Sequence, residues 1–143
     1  MAAEHFDLRM RLATGEPFLF SWMSIPSAEL AAQVARLPFD GVCLDMQHGM
    51  IGFTDAAPMI ANINAAGRPA IVRALWNDPA TPGQAYDAGA VCVISPMVNT
   101  RAQAEALVGL RSIRRWVREA GAATRPSRPL ASHHPNISAR PTA

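Results

Sequence analysis

The sequence contains no lysine: all 13 of its basic residues are arginine. Together with abundant alanine, this bias points to a G+C-rich coding sequence. There are only two cysteines, Cys43 and Cys92. Each lies in an apolar run that reads as a buried strand, so both are expected as small core residues rather than as a disulfide framework or a metal site. No run of about 18 apolar residues is present, which argues against a membrane-spanning helix. The N-terminus carries early acids and no apolar stretch with a cleavage site, so a secretory leader is not expected. A reducing, cytoplasmic compartment is the expectation. No Gly-x-Gly-x-x-Gly follows the first strand-like run, which leaves a dinucleotide site without support.

What remains is enough to fold. Half of the 143 residues are hydrophobic, sufficient for the core of one ordinary domain and against global disorder. The charge is divided unevenly. Residues 1–110 hold six arginines and ten acids, whereas residues 111–143 hold seven arginines and one acid, Glu119. The net charges of −4 and +6 describe two unlike segments.

Along the first segment, strand-like and helix-like patterns alternate four times. Residues 4–13 read as a short leading helix. The strand candidates are 18–23, 42–44, 70–72 and 91–94. Ser27, Thr54, Asp78-Pro79 and Thr100 each stand where a helix is expected to begin. The expected helix faces are Leu30, Ala31, Val34, Ala35 and Leu37, then Ala57, Ile60, Ala61 and Ile63, and finally Ala104, Leu107 and Val108. Alternation of this kind predicts an α/β protein with parallel strands and right-handed crossovers. It leaves two architectures open, a doubly wound sheet or half of an eight-fold barrel. In both, ligands collect at the C-terminal ends of the strands, where Trp22, Asp45, His48, Arg73 and Pro96-Met97 fall.

Several of these residues carry chemistry. His48 is either a loop histidine bonded to its neighbours or a general base. Asp87 is a carboxylate that would hold its imidazole in one tautomer, or an exposed acid at a helix end. Arg73 ends a buried strand, where an unpaired guanidinium is costly. It therefore pairs with an internal acid or awaits an anion, to which its planar fork is suited. Asp45 is a partner for Arg73 or part of a metal's outer shell. Trp22 is core, pocket wall, or both. Asn77 and Asp78 are accounted for as turn and cap residues.

Taken in order, Trp22-Met23-Ser24-Ile25-Pro26-Ser27, Asp45-Met46-Gln47-His48-Gly49, Val72-Arg73 with Trp76-Asn77-Asp78-Pro79, Asp87-Ala88-Gly89 and Pro96-Met97-Val98 resemble the HpcH/HpaI aldolase family, from about Leu8 to Arg111. The resemblance implies a (β/α)8 TIM barrel of which about four βα units are present, residues 1–111 forming the N-terminal half. It implies a metal-dependent, class II carbon–carbon lyase that cleaves 4-hydroxy-2-oxo acids to pyruvate and an aldehyde. Arg73 would bind the carboxylate of the small 2-oxo acid, and Trp22 would line its pocket. His48, oriented by Asp87, would belong to the acid–base machinery. Asp45 and Gln47 would stand in the outer shell of a divalent Mg, Mn or Co ion, whose direct ligands belong to the barrel's other half. Gln47 departs from the glutamate usual in the family. Homo-oligomers are expected of the intact family.

Residues 112–143 are rich in arginine and proline and lack apolar periodicity, so a disordered tail is expected. Its arginines have no interleaved aromatics, and neither a nucleic-acid nor a membrane partner is expected. One permitted set of codons for residues 112–121, read from its third base, gives Tyr-Pro-Pro-Val-Gly-Pro-Arg-Ser-Trp. That is close to the continuation Tyr-Pro-Pro-x-Gly-x-Arg-Ser-x-Gly of the family. The tail is therefore read as frame-shifted, on a truncated and by itself inactive aldolase. The alternative is a small binding module with a basic tail.

Overall fold

The computed structural model of the chain describes residues 8–78 and 80–109. The expected tail, residues 112–143, and the start of the leading helix lie outside them. The elements run α1 (Leu8–Ala13), β1 (Phe20–Met23), α2 (Ala28–Val34), β2 (Gly41–Asp45), α3 (Phe53–Ala65), β3 (Ala70–Arg73), α4 (Ala80–Asp87) and β4 (Cys92–Ile94). A further helix, α5, spans 101–109.

The four strands are parallel and lie in the order β1-β2-β3-β4. Because every connection steps to the next strand in the same direction, right-handed crossovers place α2, α3 and α4 on one face. A doubly wound sheet would reverse its order and carry helices on both faces. The order thus decides for a segment of a barrel. On the helix-covered face, Met23, Val42, Leu44, Ala70 and Val72 pack with Ala31, Ala35, Met59, Ile60 and Ile63 in one buried cluster. The alternate residues, Trp22, Cys43, Asp45, Ile71, Arg73, Cys92 and Ile94, point to the other face, the one a barrel turns inward.

The helix starts show which local signals hold. Ser27 caps α2, its Oγ accepting from the Leu30 N–H at 3.1 Å. Asp78 caps α4 through the N–H groups of Ala80 and Thr81, at 2.8 and 3.0 Å. Thr100 and Gln103 form a reciprocal pair at the start of α5: Thr100 Oγ accepts from the Gln103 N–H, and Gln103 Oε1 accepts from the Thr100 N–H. Thr54, by contrast, is not the cap of α3. That helix begins two residues earlier, with extended Gly52 as the cap and its N–H satisfied by the Asp55 carboxylate at 3.1 Å. The shift moves Pro58 into the second turn and turns Ala56, Met59, Ile60 and Ile63 inward. Ala61 is left exposed.

Two expectations of burial fail for one reason. The apolar run of β4 is half-buried throughout, whereas β2 is buried along its whole length. The face of α5 at Ala104 and Val108 is exposed. β4 is an edge strand among the described residues, so nothing described covers its far side or receives the apolar face of α5.

Candidate active site

The buried Asp45 carboxylate is the centre of the site. It closes β2 directly opposite Arg73, the last residue of β3, so the register alone sets acid against base. Arg73 donates from Nε to Asp45 Oδ1 at 2.8 Å and from Nη2 to Oδ2 at 2.5 Å, a two-pronged ion pair. From the other side, the Trp22 Nε1–H donates to Oδ2 at 3.1 Å. The backbone N–H groups of Gln47 and His48 both donate to Oδ1, at 3.0 and 3.1 Å. Five donors therefore meet two oxygens. The Arg73 guanidinium, ahead of these other bonds, holds the Asp45 carboxyl well below the usual carboxylate range, and Asp45 in turn raises the Arg73 pKa.

This network arranges the other candidates. The Arg73 guanidinium carbon lies 4.9 Å from the Trp22 ring centroid, so the indole both stacks on the cation and ties into its counter-ion. Trp22 is 44% exposed and belongs to an open wall rather than the core. The side chain of Arg73 is 21% exposed and that of Asp45 only 3%. Among the described residues no group is bonded to Arg73 Nη1. One carboxylate pins the guanidinium, and its remaining edge faces the open side of the sheet.

His48 and Arg73 share Asp45 Oδ1, one through its backbone and the other through its side chain, so the histidine loop and the arginine sit on the same rim. The His48 side chain is exposed and Gln47 is half-buried. Gly49 completes the turn without a side chain: a Cβ there would come within 2.2 Å of the Asp45 carbonyl oxygen and 3.0 Å of Ser24. The Met50 N–H then bonds the Ser24 carbonyl at 2.9 Å, closing the turn onto the end of β1.

Asp87 is not brought to His48 within this chain. It is the exposed last residue of α4, which runs back along the sheet. Two residues on, the Gly89 carbonyl accepts from Asn64 near the end of α3, and the Val91 N–H bonds the carbonyl of Ala70 at the start of β3. Asp87 thus lies by the N-terminal ends of the strands and His48 beyond their C-terminal ends. Within this chain the Asp45 carboxylate accepts from five donors.

Two further features mark this rim. Asn77 reaches the loop after β4, its Nδ2 donating to the Met97 carbonyl at 3.4 Å and its Oδ1 accepting from Ser95 Oγ at 3.5 Å. Met97 itself has φ 56°, in the left-handed region that non-glycine residues rarely occupy. The spacing Asp45-x-x-His48 did hold a readable signal, since an aspartate commonly accepts the N–H groups two and three residues on.

Comparisons with known proteins identify the family. A match to the HpcH/HpaI aldolase/citrate lyase family covers residues 19–128. The chain belongs to that family. A hydroxypyruvate/pyruvate aldolase of Rhizorhabdus wittichii is 44% identical over 93 residues, which are 65% of this chain and 37% of that protein. A 4-hydroxy-2-oxo-heptane-1,7-dioate aldolase of Salmonella arizonae is 29% identical over 65% of this chain and 35% of its own length. Among solved structures, a HpcH/HpaI aldolase/citrate lyase family protein of Burkholderia cenocepacia superposes with a TM-score of 0.65 at 32% identity, over 72% of this chain and 41% of its own. The chain thus spans well under half the length of the relatives it matches. The family match extends past Arg111 into the arginine-rich segment.

Metal-dependent chemistry is general in the family, and the described residues do not fit a metal centre. No three of their His, Cys, Asp and Glu side chains gather as a ligand set. The one buried carboxylate among them, Asp45, is paired with Arg73.

Proposed function

We propose that this chain carries the 2-oxo-acid-binding half of a pyruvate-type aldolase site. Arg73 takes the substrate carboxylate, Trp22 forms the wall beside it, and His48 serves the acid–base steps, taking the proton of the 4-hydroxyl as the C3–C4 bond breaks and returning one to C3 of the enolate. The observation that supports this reading is the guanidinium pinned on one side by Asp45 and open on the other, at the C-terminal rim of a barrel segment. Asp45 cancels most of the cost of a partly buried cation and fixes its plane, so an incoming carboxylate meets an oriented donor edge. The sequence has no lysine and hence no side-chain amine for a covalent imine with the oxo group. What this chain contributes to holding the enolate is therefore charge and hydrogen bonds.

The role of Asp87 in orienting His48 is not one this chain supplies by itself, and a divalent ion is not held by the residues described. We therefore propose that the 143-residue chain alone turns over little or no substrate. Release of aldehyde from a 4-hydroxy-2-oxo acid, assayed with added Mg²⁺, Mn²⁺ or Co²⁺, is expected to stay at the blank rate; metal-dependent turnover contradicts this. The binding half of the proposal is tested separately by calorimetric titration with pyruvate. Saturable binding that weakens about tenfold or more in Arg73→Lys is expected, and unchanged binding in that variant removes the assignment.

A second reading concerns residues 112–143, proposed to be out of frame with the family's continuation. The off-frame reading Tyr-Pro-Pro-Val-Gly-Pro-Arg-Ser-Trp supports it, while the family match that runs in frame to residue 128 counts against it. The nucleotide sequence of the gene decides it: a family-like continuation in another frame is expected, and its absence disposes of the idea. A cytoplasmic setting and action on small 2-oxo acids without a nucleic-acid partner complete the proposal.

A further inference from the structure

We propose that Met97, fixed by the Asn77 side chain, contacts the tail of the 2-oxo acid, the carbons beyond its oxo group, and selects a tail that is apolar and uncharged. The inference rests on the reading that Arg73 takes the carboxylate. Sheet order places the residue. β3 lies between β2 and β4, so Arg73 has Asp45 and Trp22 on one side and the loop after β4 on the other. Ile94 is the strand partner of Arg73, the Ala74 N–H bonds the Ile94 carbonyl at 2.9 Å, and Met97 follows three residues on.

Asn77 ties the loop after β3 to this one. Its Nδ2 donates to the Met97 carbonyl at 3.4 Å and its Oδ1 accepts from Ser95 Oγ at 3.5 Å. Asn99 Nδ2 reaches the same carbonyl at 3.1 Å. Two side-chain amides thus converge on a residue at φ 56°, a conformation that glycine takes freely and a methionine only at a cost. Such strain persists where neighbours over-determine it, and it collects at ligand sites. Packing does not offset it here, because Met97 is 62% exposed and stands outside the buried cluster. An unbranched thioether on a fixed backbone is an adaptable apolar surface, and Leu75 and Trp76, both exposed just before Asn77, extend it. Of the described arginines, only Arg101 shares this end of the sheet with Arg73, and it is paired with Glu105 at 2.7 Å. A second carboxylate on the tail therefore finds no unpaired arginine among the described residues.

The test is calorimetric titration of the full chain with pyruvate, 2-oxohexanoate and 2-oxoadipate, the last two alike in length and different in charge. 2-Oxohexanoate is expected to bind about tenfold more tightly than pyruvate, from burial of its added carbons, and 2-oxoadipate no more tightly than pyruvate. Met97→Gly keeps the left-handed backbone and removes the side chain, so the ratio of 2-oxohexanoate to pyruvate affinity is expected to fall to about threefold or less. Asn77→Ala, which releases the loop, is expected to lower the same ratio. A purely structural role would weaken both acids together and leave the ratio in place. A wild-type ratio near one, a ratio that survives either substitution, or a gain with 2-oxoadipate overturns the inference and leaves the carboxylate site standing. Failure of pyruvate to bind, or binding unchanged in Arg73→Lys, removes the carboxylate site and this inference with it.

Discussion

Asp45 is the one buried charged side chain among the described residues, and it is tolerated there because its lone pairs are filled by Arg73, Trp22 and two backbone N–H groups. Replacing it with asparagine removes the charge and sets amide hydrogens against donors. Asp45→Asn is expected to cost about 3 kcal/mol, the low end for breaking a buried pair because Arg73 is partly exposed, as read by urea unfolding. The depressed pKa adds a pH signature. A carboxylate whose folded value lies below its unfolded one, near 4, contributes its full stability above about pH 4 and loses it as pH falls further. Thermal melts from pH 7 to pH 2 should therefore fall more steeply below pH 4 in the wild type than in Asp45→Asn. Cys43 is a second residue-scale test. Burial pushes its thiol up to about 12, so at pH 8 a thiol reagent should label Cys92 in the native protein well before Cys43.

At the scale of elements, the turn from Asp45 to Met50 is held against β1 by the Met50–Ser24 backbone bond and the Trp22–Asp45 side-chain bond. Gly49→Ala forces a Cβ into the Asp45 carbonyl. It is expected to destabilise by about 1–3 kcal/mol, as overpacking does, and to weaken pyruvate binding with it. Asp78→Ala should cost about 1 kcal/mol through loss of the α4 cap. This is also the scale at which the sequence is easiest to read. Ser27, Asp78 and Thr100 announce their helices because a cap is a local bond between residues two or three apart. Thr54 misleads because Gly52, with no side chain to mark it, takes the cap while Asp55 satisfies its N–H from inside the helix.

The whole molecule is where local signals give out. Apolar runs and their order made the parallel α/β pattern legible, and the strand-end positions of Trp22, Arg73 and His48 made the rim legible. That Arg73 meets Asp45 was one of two open alternatives, because the pairing depends on the register of β2 on β3, which no local pattern carries. The separation of Asp87 from His48 was legible in the strand–helix alternation, because a helix that follows a strand in a parallel unit ends by the N-terminal side of the sheet, where Asp87 falls. The half-burial of β4 and the exposed face of α5 reflect what lies next to them in space, and periodicity can only say that an apolar face exists.

The central claim is that Arg73, fixed by Asp45, is a carboxylate-binding group. Its most direct test is an NMR titration that follows the Arg73 side-chain resonances as pyruvate is added, with the neutral amide of pyruvate as control. The account predicts a saturable shift of the Nη signals with pyruvate, little change for the amide, and an Nε–H that stays protected by Asp45 throughout. No shift with pyruvate, or an equal response to the amide, would contradict it.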